Sequence, residues 1–134
     1  MRLLQKLGRL FTPSQPASQP IPQVTPDDVE RIVRRDFTAD EYSTVTAMLN
    51  EYGTEKWHRE SARARLAALK LANGSVRRLR VSIDSTKRDY RDALAAAEYP
   101  SYFNVGSRVR ELPIKERNRI IDEDWRQYEK WLQK

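Results

Sequence analysis

Apolar positions recur along most of this chain at helical intervals, and the longest such run marks its expected centre. In SVRRLRVSIDSTKRDYRDALAAAEYP, residues 75–100, the side chains Val76, Leu79, Ile83, Tyr90 and Leu94 are three, four, seven and four residues apart. Those intervals place all five on one face of a 3.6-residue period, with Thr86 or Lys87 filling the gap. Ser75 caps one end and Pro100 closes the other, so the spacing predicts a single unbroken helix against which the others pack. Burying the five side chains contributes about 8–15 kcal/mol before conformational entropy is subtracted, at about 1.5–3 kcal/mol each.

The same reading extends to both sides. Thr25-Pro26-Asp27-Asp28 combines a capping threonine, a proline at the first helical position and acids in the first turn, and Val29, Ile32 and Val33 follow as a short apolar face. Thr38 and Glu41 form a capping box, with Phe37 placed to staple against Tyr42. The next helix turns Tyr42, Val45, Met48, Leu49 and Tyr52 inward and stops at Gly53. A third helix is expected from Thr54 to Asn73-Gly74, with Trp57, Ala62, Leu66, Ala68 and Leu69 facing the core. Residues 101–112 read as a loop carrying Tyr102, Phe103 and Val105. After Pro113 a last helix presents Ile114, Ile121, Trp125, Tyr128 and Leu132, and Ile120 and Trp131 lie off that stripe as surplus apolar surface. The expectation is an all-α fold: a compact bundle of about five helices over residues 26–134, preceded by a mobile amphipathic segment.

That segment, residues 1–11, sets Leu3, Leu4, Leu7, Leu10 and Phe11 opposite Arg2, Lys6 and Arg9. It is too short to be a stable isolated helix, so it calls for a surface: a frayed tail that orders on contact, a docking helix for a protein and a membrane-surface helix are the three readings. Gln5 and Lys6 interrupt the apolar run that a secretory signal needs. Residues 12–25 hold Pro13, Pro16, Pro20 and Pro22 among Ser, Gln and Ala, a composition suited to an extended spacer.

Composition agrees with helix: only four glycines, 39% hydrophobic and 33% charged residues, and many Ala, Leu, Arg, Glu and Lys. The net charge of +6 is unevenly distributed, with +3 in residues 1–26, −4 in 27–53 and +7 in the closely interleaved remainder. No apolar run approaches the roughly 18–20 residues that span a bilayer. The chain has no cysteine, which removes disulfides and thiolate chemistry. Its one histidine, His58, is expected as a solvent-facing residue in the first turn of a helix; alone it builds neither a zinc motif nor a hydrolytic triad. Asp89 and Asp92 can approach each other on a helix, but Lys87, Arg88 and Arg91 neutralise them. No phosphate-binding glycine motif is present. The chain is therefore expected to be no enzyme, with no cofactor, metal or small-molecule substrate.

Two binding classes remain. Arg77, Arg80, Lys87 and Arg91 on the outer face of the long helix are the candidate anion or nucleic-acid contacts, although Asp84 interrupts the row and no aromatic is interleaved with it. For a protein partner the candidate contacts are Leu3, Leu7, Leu10, Tyr102, Phe103, Ile120 and Trp131. LAALKLANGSVRRLRVSIDSTKRDYRDALAAAEYP and DWRQYEKWL carry a DYRD…AEY pattern at Asp89, Tyr90, Arg91, Asp92, Ala97, Glu98 and Tyr99. Over roughly residues 28–132 the chain resembles a type of small bacterial helical protein with that signature, which implies a soluble bacterial helical domain and says nothing about its chemistry. The leading expectation is a non-catalytic protein-interaction (adaptor or regulatory) protein in the cytoplasm. A basic helical nucleic-acid binder and a protein attached peripherally to a membrane through residues 1–11 are the alternatives.

Overall fold

The computed structural model describes residues 18–134, which hold seven α-helices and no strand. These are α1 (Pro26–Asp36), α2 (Tyr42–Asn50), α3 (Ser61–Ala72), α4 (Val76–Arg88), α5 (Tyr90–Glu98), α6 (Pro100–Val105) and α7 (Ile114–Gln133), with 3-10 turns at Ala39–Glu41 and Gly106–Glu111. The all-α expectation holds, with more and shorter helices than five. The amphipathic residues 1–11 lie outside the described part. Of the proline-rich segment, Pro22 is buried, Val24 packs on the main core, and the Pro20 carbonyl accepts the Tyr99 hydroxyl at 2.5 Å.

At Thr25, Thr38 and Ser75 the start signals written in the sequence are used as expected. Asp28 accepts the Thr25 amide at 2.9 Å, Glu41 accepts the Thr38 amide at 3.0 Å, and the Ser75 hydroxyl accepts the Arg78 amide at 3.2 Å. Each bond satisfies a donor at a helix start that the helix's own ladder leaves open.

The central element is α3, not the stretch 75–100. α3 packs on α4, α5 and α1, and Ala64, Leu66, Ala67, Ala68, Leu69 and Ala72 are all fully buried. Leucines and alanines on one side join Ile32, Val45, Leu49, Leu79 and Ile83 in the main core. Ala67, on the other, meets Ala93, Leu94 and Ala97 of α5, with Tyr90 packed against them. A helix apolar on more than one face belongs inside, and its alanines leave room for two neighbours to approach.

The expected long helix is broken at Asp89, whose extended backbone (φ −153°, ψ 98°) separates α4 from α5. The Asp89 carboxylate accepts the Arg91 amide at 3.1 Å. An aspartate that bonds the backbone two residues on favours a new helix start over continuation, and that local bond supplies the break. Residues 101–105, expected as loop, are helical because the buried Asp124 on α7 accepts the amides of Ser101 (3.2 Å) and Tyr102 (2.9 Å) at the start of α6.

Glu98, 2% exposed, ends α5 in a bidentate pair with Arg63 of α3 at 2.6 and 2.7 Å. The Tyr128 hydroxyl of α7 is equally buried but has no hydrogen-bond partner among the described residues. These two buried polar groups should respond oppositely to removal. Glu98→Ala leaves the partly buried Arg63 guanidinium without its carboxylate and is expected to cost about 3 kcal/mol in urea unfolding. Tyr128→Phe discards an unpaired hydroxyl and should be neutral or stabilising by up to about 1 kcal/mol. A Glu98→Ala cost within error of zero would show that the pair does not hold α3 to α5.

Candidate functional site

Between α2 and α3 the chain does not form the expected helix from Thr54. Residues 51–60 make a compact loop, and three sets of bonds explain it. Arg65 of α3 donates to the carbonyls of Leu49 (3.1 Å) and Tyr52 (2.7 Å), closing the open end of α2. The Nδ1 atom of His58 accepts the amides of Gly53 (3.0 Å) and Glu55 (3.2 Å), and the Tyr52 hydroxyl donates to the Arg59 carbonyl at 2.7 Å. Gly53 has φ 107°, and a Cβ there would lie 3.1 Å from the Arg65 guanidinium, a conformation and a space that suit glycine. Glu60 then takes a left-handed turn, φ 54°, through which a helix cannot run.

His58 is therefore not the solvent-facing helical residue expected. It is half-buried, stacked on the buried Tyr52 ring with centroids 4.4 Å apart and planes at 20°. Two amides directed at Nδ1 require that nitrogen to be unprotonated, which puts the ring proton on Nε2.

Trp57 is where the structure departs furthest from expectation. Predicted to face the core, it is 63% exposed, with its ring edge-on to His58 at 5.8 Å. The loop that carries it is anchored rather than free. Glu51 at its base accepts Arg80 of α4 through both carboxylate oxygens at 2.8 and 2.5 Å and Lys87 at 2.7 Å, and Asp84 bridges the same two cations at 2.8 and 3.4 Å. Hydrogen bonds from Arg80 and then Lys87 hold the Glu51 carboxyl down from 4.5 to about 2, and the same contacts raise both cations. Beside the Trp57 ring a hollow of about 330 Å³ reaches the α4–α5 break, with Arg59, Lys87, Arg88, Asp89 and Arg91 on its walls. A second hollow of about 320 Å³ opens between α1 and α2 over Val29, Val33, Tyr42 and Leu49.

The residues proposed from sequence are not brought together. Leu3, Leu7 and Leu10 lie outside the described residues. Ile120 is buried, and Trp131, expected to resist burial, packs on the main core beneath the Arg35 guanidinium, 5.2 Å from its ring centre, while Arg35 also donates to the Trp131 carbonyl at 2.5 Å. Tyr102 is half-buried and Phe103, on α6, is 43% exposed. Of the basic row, Arg80 and Lys87 are engaged by Glu51 and Asp84, Arg91 pairs with Asp89 at 3.2 Å, and Arg77 is exposed with no ion pair among the described residues. The DYRD…AEY residues have structural places: Asp89 caps α5, Tyr90 packs on the smaller core, Glu98 holds Arg63 and Tyr99 holds Pro20.

Among the described residues no helix is long and apolar enough to cross a membrane, and no group of three or more His, Asp or Glu is arranged to hold a metal ion. No family model, curated protein or solved structure matches the chain.

The loop yields two measurable expectations. His58→Ala leaves the Gly53 and Glu55 amides without their acceptor, so hydrogen exchange at both should accelerate while α3 amides stay protected. Unchanged exchange would mean that His58 does not pin the loop. The Glu51 clamp stabilises the fold fully above the ordinary carboxylate range and loses its contribution as pH falls through about 2. Thermal melts should accordingly show the wild type ahead of Glu51→Gln above about pH 5, with the gap closing toward about pH 2.

Proposed function

We propose that the chain is a non-catalytic protein-interaction protein whose contact surface centres on Trp57. The observation that carries this reading is the exposed indole on an anchored loop. A tryptophan left in water forgoes about 1.5–3 kcal/mol of burial, and tryptophan and arginine are the side chains most often found to dominate protein interfaces. The loop's bonds through His58, Tyr52 and Glu51 spare a partner much of the cost of ordering the contact. This reading goes with a soluble bacterial protein of the cytoplasm; attachment to a membrane surface through residues 1–11 is the alternative location. Phe103 would be a secondary contact.

Nucleic-acid binding is the second reading, supported by Arg77 and Arg78, exposed on α4 and without ion pairs among the described residues. It requires an affinity that falls steeply with salt.

Mild crosslinking in cell extract followed by mass spectrometry should recover a partner with the wild type and lose it with Trp57→Ala. That substitution should alter folding stability by less than about 1 kcal/mol. Identical partner profiles from both proteins would remove Trp57 from the interface.

A further inference from the structure

We propose that the hollow beside Trp57 binds an acidic peptide segment of the partner, with an apolar side chain on the indole and carboxylates on Arg59 and Arg88. The proposal rests on reading the Trp57 face as a protein contact and specifies the chemistry of what docks there.

Charge is the first argument. Four cations, Arg59, Lys87, Arg88 and Arg91, line the hollow against one carboxylate, Asp89. Two of the four already have partners: Lys87 is engaged by Glu51 and Asp84, and Arg91 by Asp89. Among the described residues the other two have no carboxylate. Arg59 makes no ion pair among the described residues, and Arg88 reaches only the Ser85 hydroxyl, at 3.2 Å. Guanidinium groups present paired donors that match a carboxylate, so these two are the natural receivers of an incoming anion. Size is the second. A hollow of about 330 Å³ suits a few side chains of a peptide, and the indole at its edge supplies the apolar anchor that the charges lack.

The same pattern argues against a nucleic-acid strand. A single strand needs cations repeated along a groove that follows its phosphates. Along α4 the cations that would extend such a track, Arg80 and Lys87, are held by Glu51 and Asp84, whose carboxylates would face the phosphates. A peptide can place carboxylates at two points and leave that clamp intact.

The test pans a random peptide library displayed on phage against the full chain, with depletion on the Trp57→Ala protein. Trp57-dependent sequences should carry Asp or Glu on either side of an apolar or aromatic residue. A labelled synthetic peptide from that set should bind roughly tenfold or more weakly to the Arg59→Ser, Arg88→Ser double variant, whose exposed positions leave the melting temperature unchanged. Trp57-dependent peptides without acidic residues, or acidic peptides indifferent to the double variant, overturn the inference and leave the protein-contact reading standing. A library that yields no Trp57-dependent peptide, while crosslinking to the partner still requires Trp57, overturns it in the same way. Oligo(dT) that binds in a Trp57-dependent way more tightly than any selected peptide overturns it in favour of nucleic acid.

Discussion

The pairing of Glu98 with Arg63 is the constraint on which the arrangement of helices depends. A carboxylate only 2% exposed is tolerable in an interior only when its charge and lone pairs are met, and the Arg63 guanidinium meets both oxygens. This fixes the C-terminal end of α5 against the start of α3. From that point the chain must turn, and Tyr99 and Pro100 carry it into α6, whose first amides are taken by Asp124. Gln127 of α7 donates to the Glu98 carbonyl at 3.2 Å, so α3, α5, α6 and α7 meet around one small polar region. Alanines on α3 and α5 permit the close approach that the pair requires.

A second ionic cluster does different work, between the end of α2 and the outer face of α4. Glu51, Asp84, Arg80 and Lys87 are half-exposed, where single pairs contribute little, but they form a network in which each carboxylate is shared between the same two cations. Its consequence is positional. It holds the base of the 51–60 loop to α4, and His58 and Tyr52 hold the rest, so an exposed tryptophan stands at a defined place beside the α4–α5 break. The cations engaged there are the ones that look available for anions when only the spacing along α4 is considered.

Legibility followed the range of the interactions involved. Caps at Thr25, Thr38 and Ser75 could be read because the donor and acceptor lie within three residues of each other. The break at Asp89 is also local, and an N-cap residue followed by Tyr-Arg-Asp inside an otherwise continuous apolar stripe was the signal for it. The loop around Trp57 carried a weaker one: in GTEKWHRE the residues three and four positions before the tryptophan are Thr54 and Gly53, neither of which extends an apolar helical face. Helix α6 left only Pro100 at its first position and Gly106 just past its end as local signals, because the acceptor for its first amides comes from a residue more than twenty positions away.

By itself, then, the amino-acid order determined helix as the element type, most helix starts, and which side chains are apolar enough to need covering. Those properties depend on spacing and on bonds between near neighbours, and both are written in one dimension. Which apolar side chains would be covered was decided only in three dimensions. Ile120 became buried and Trp131 half-buried against the main core, while Trp57 was held out by the bonds of Glu51, His58 and Tyr52. Exposure depends on what packs opposite, and in this chain the residues that decide it are brought together by the tertiary fold rather than by the local pattern.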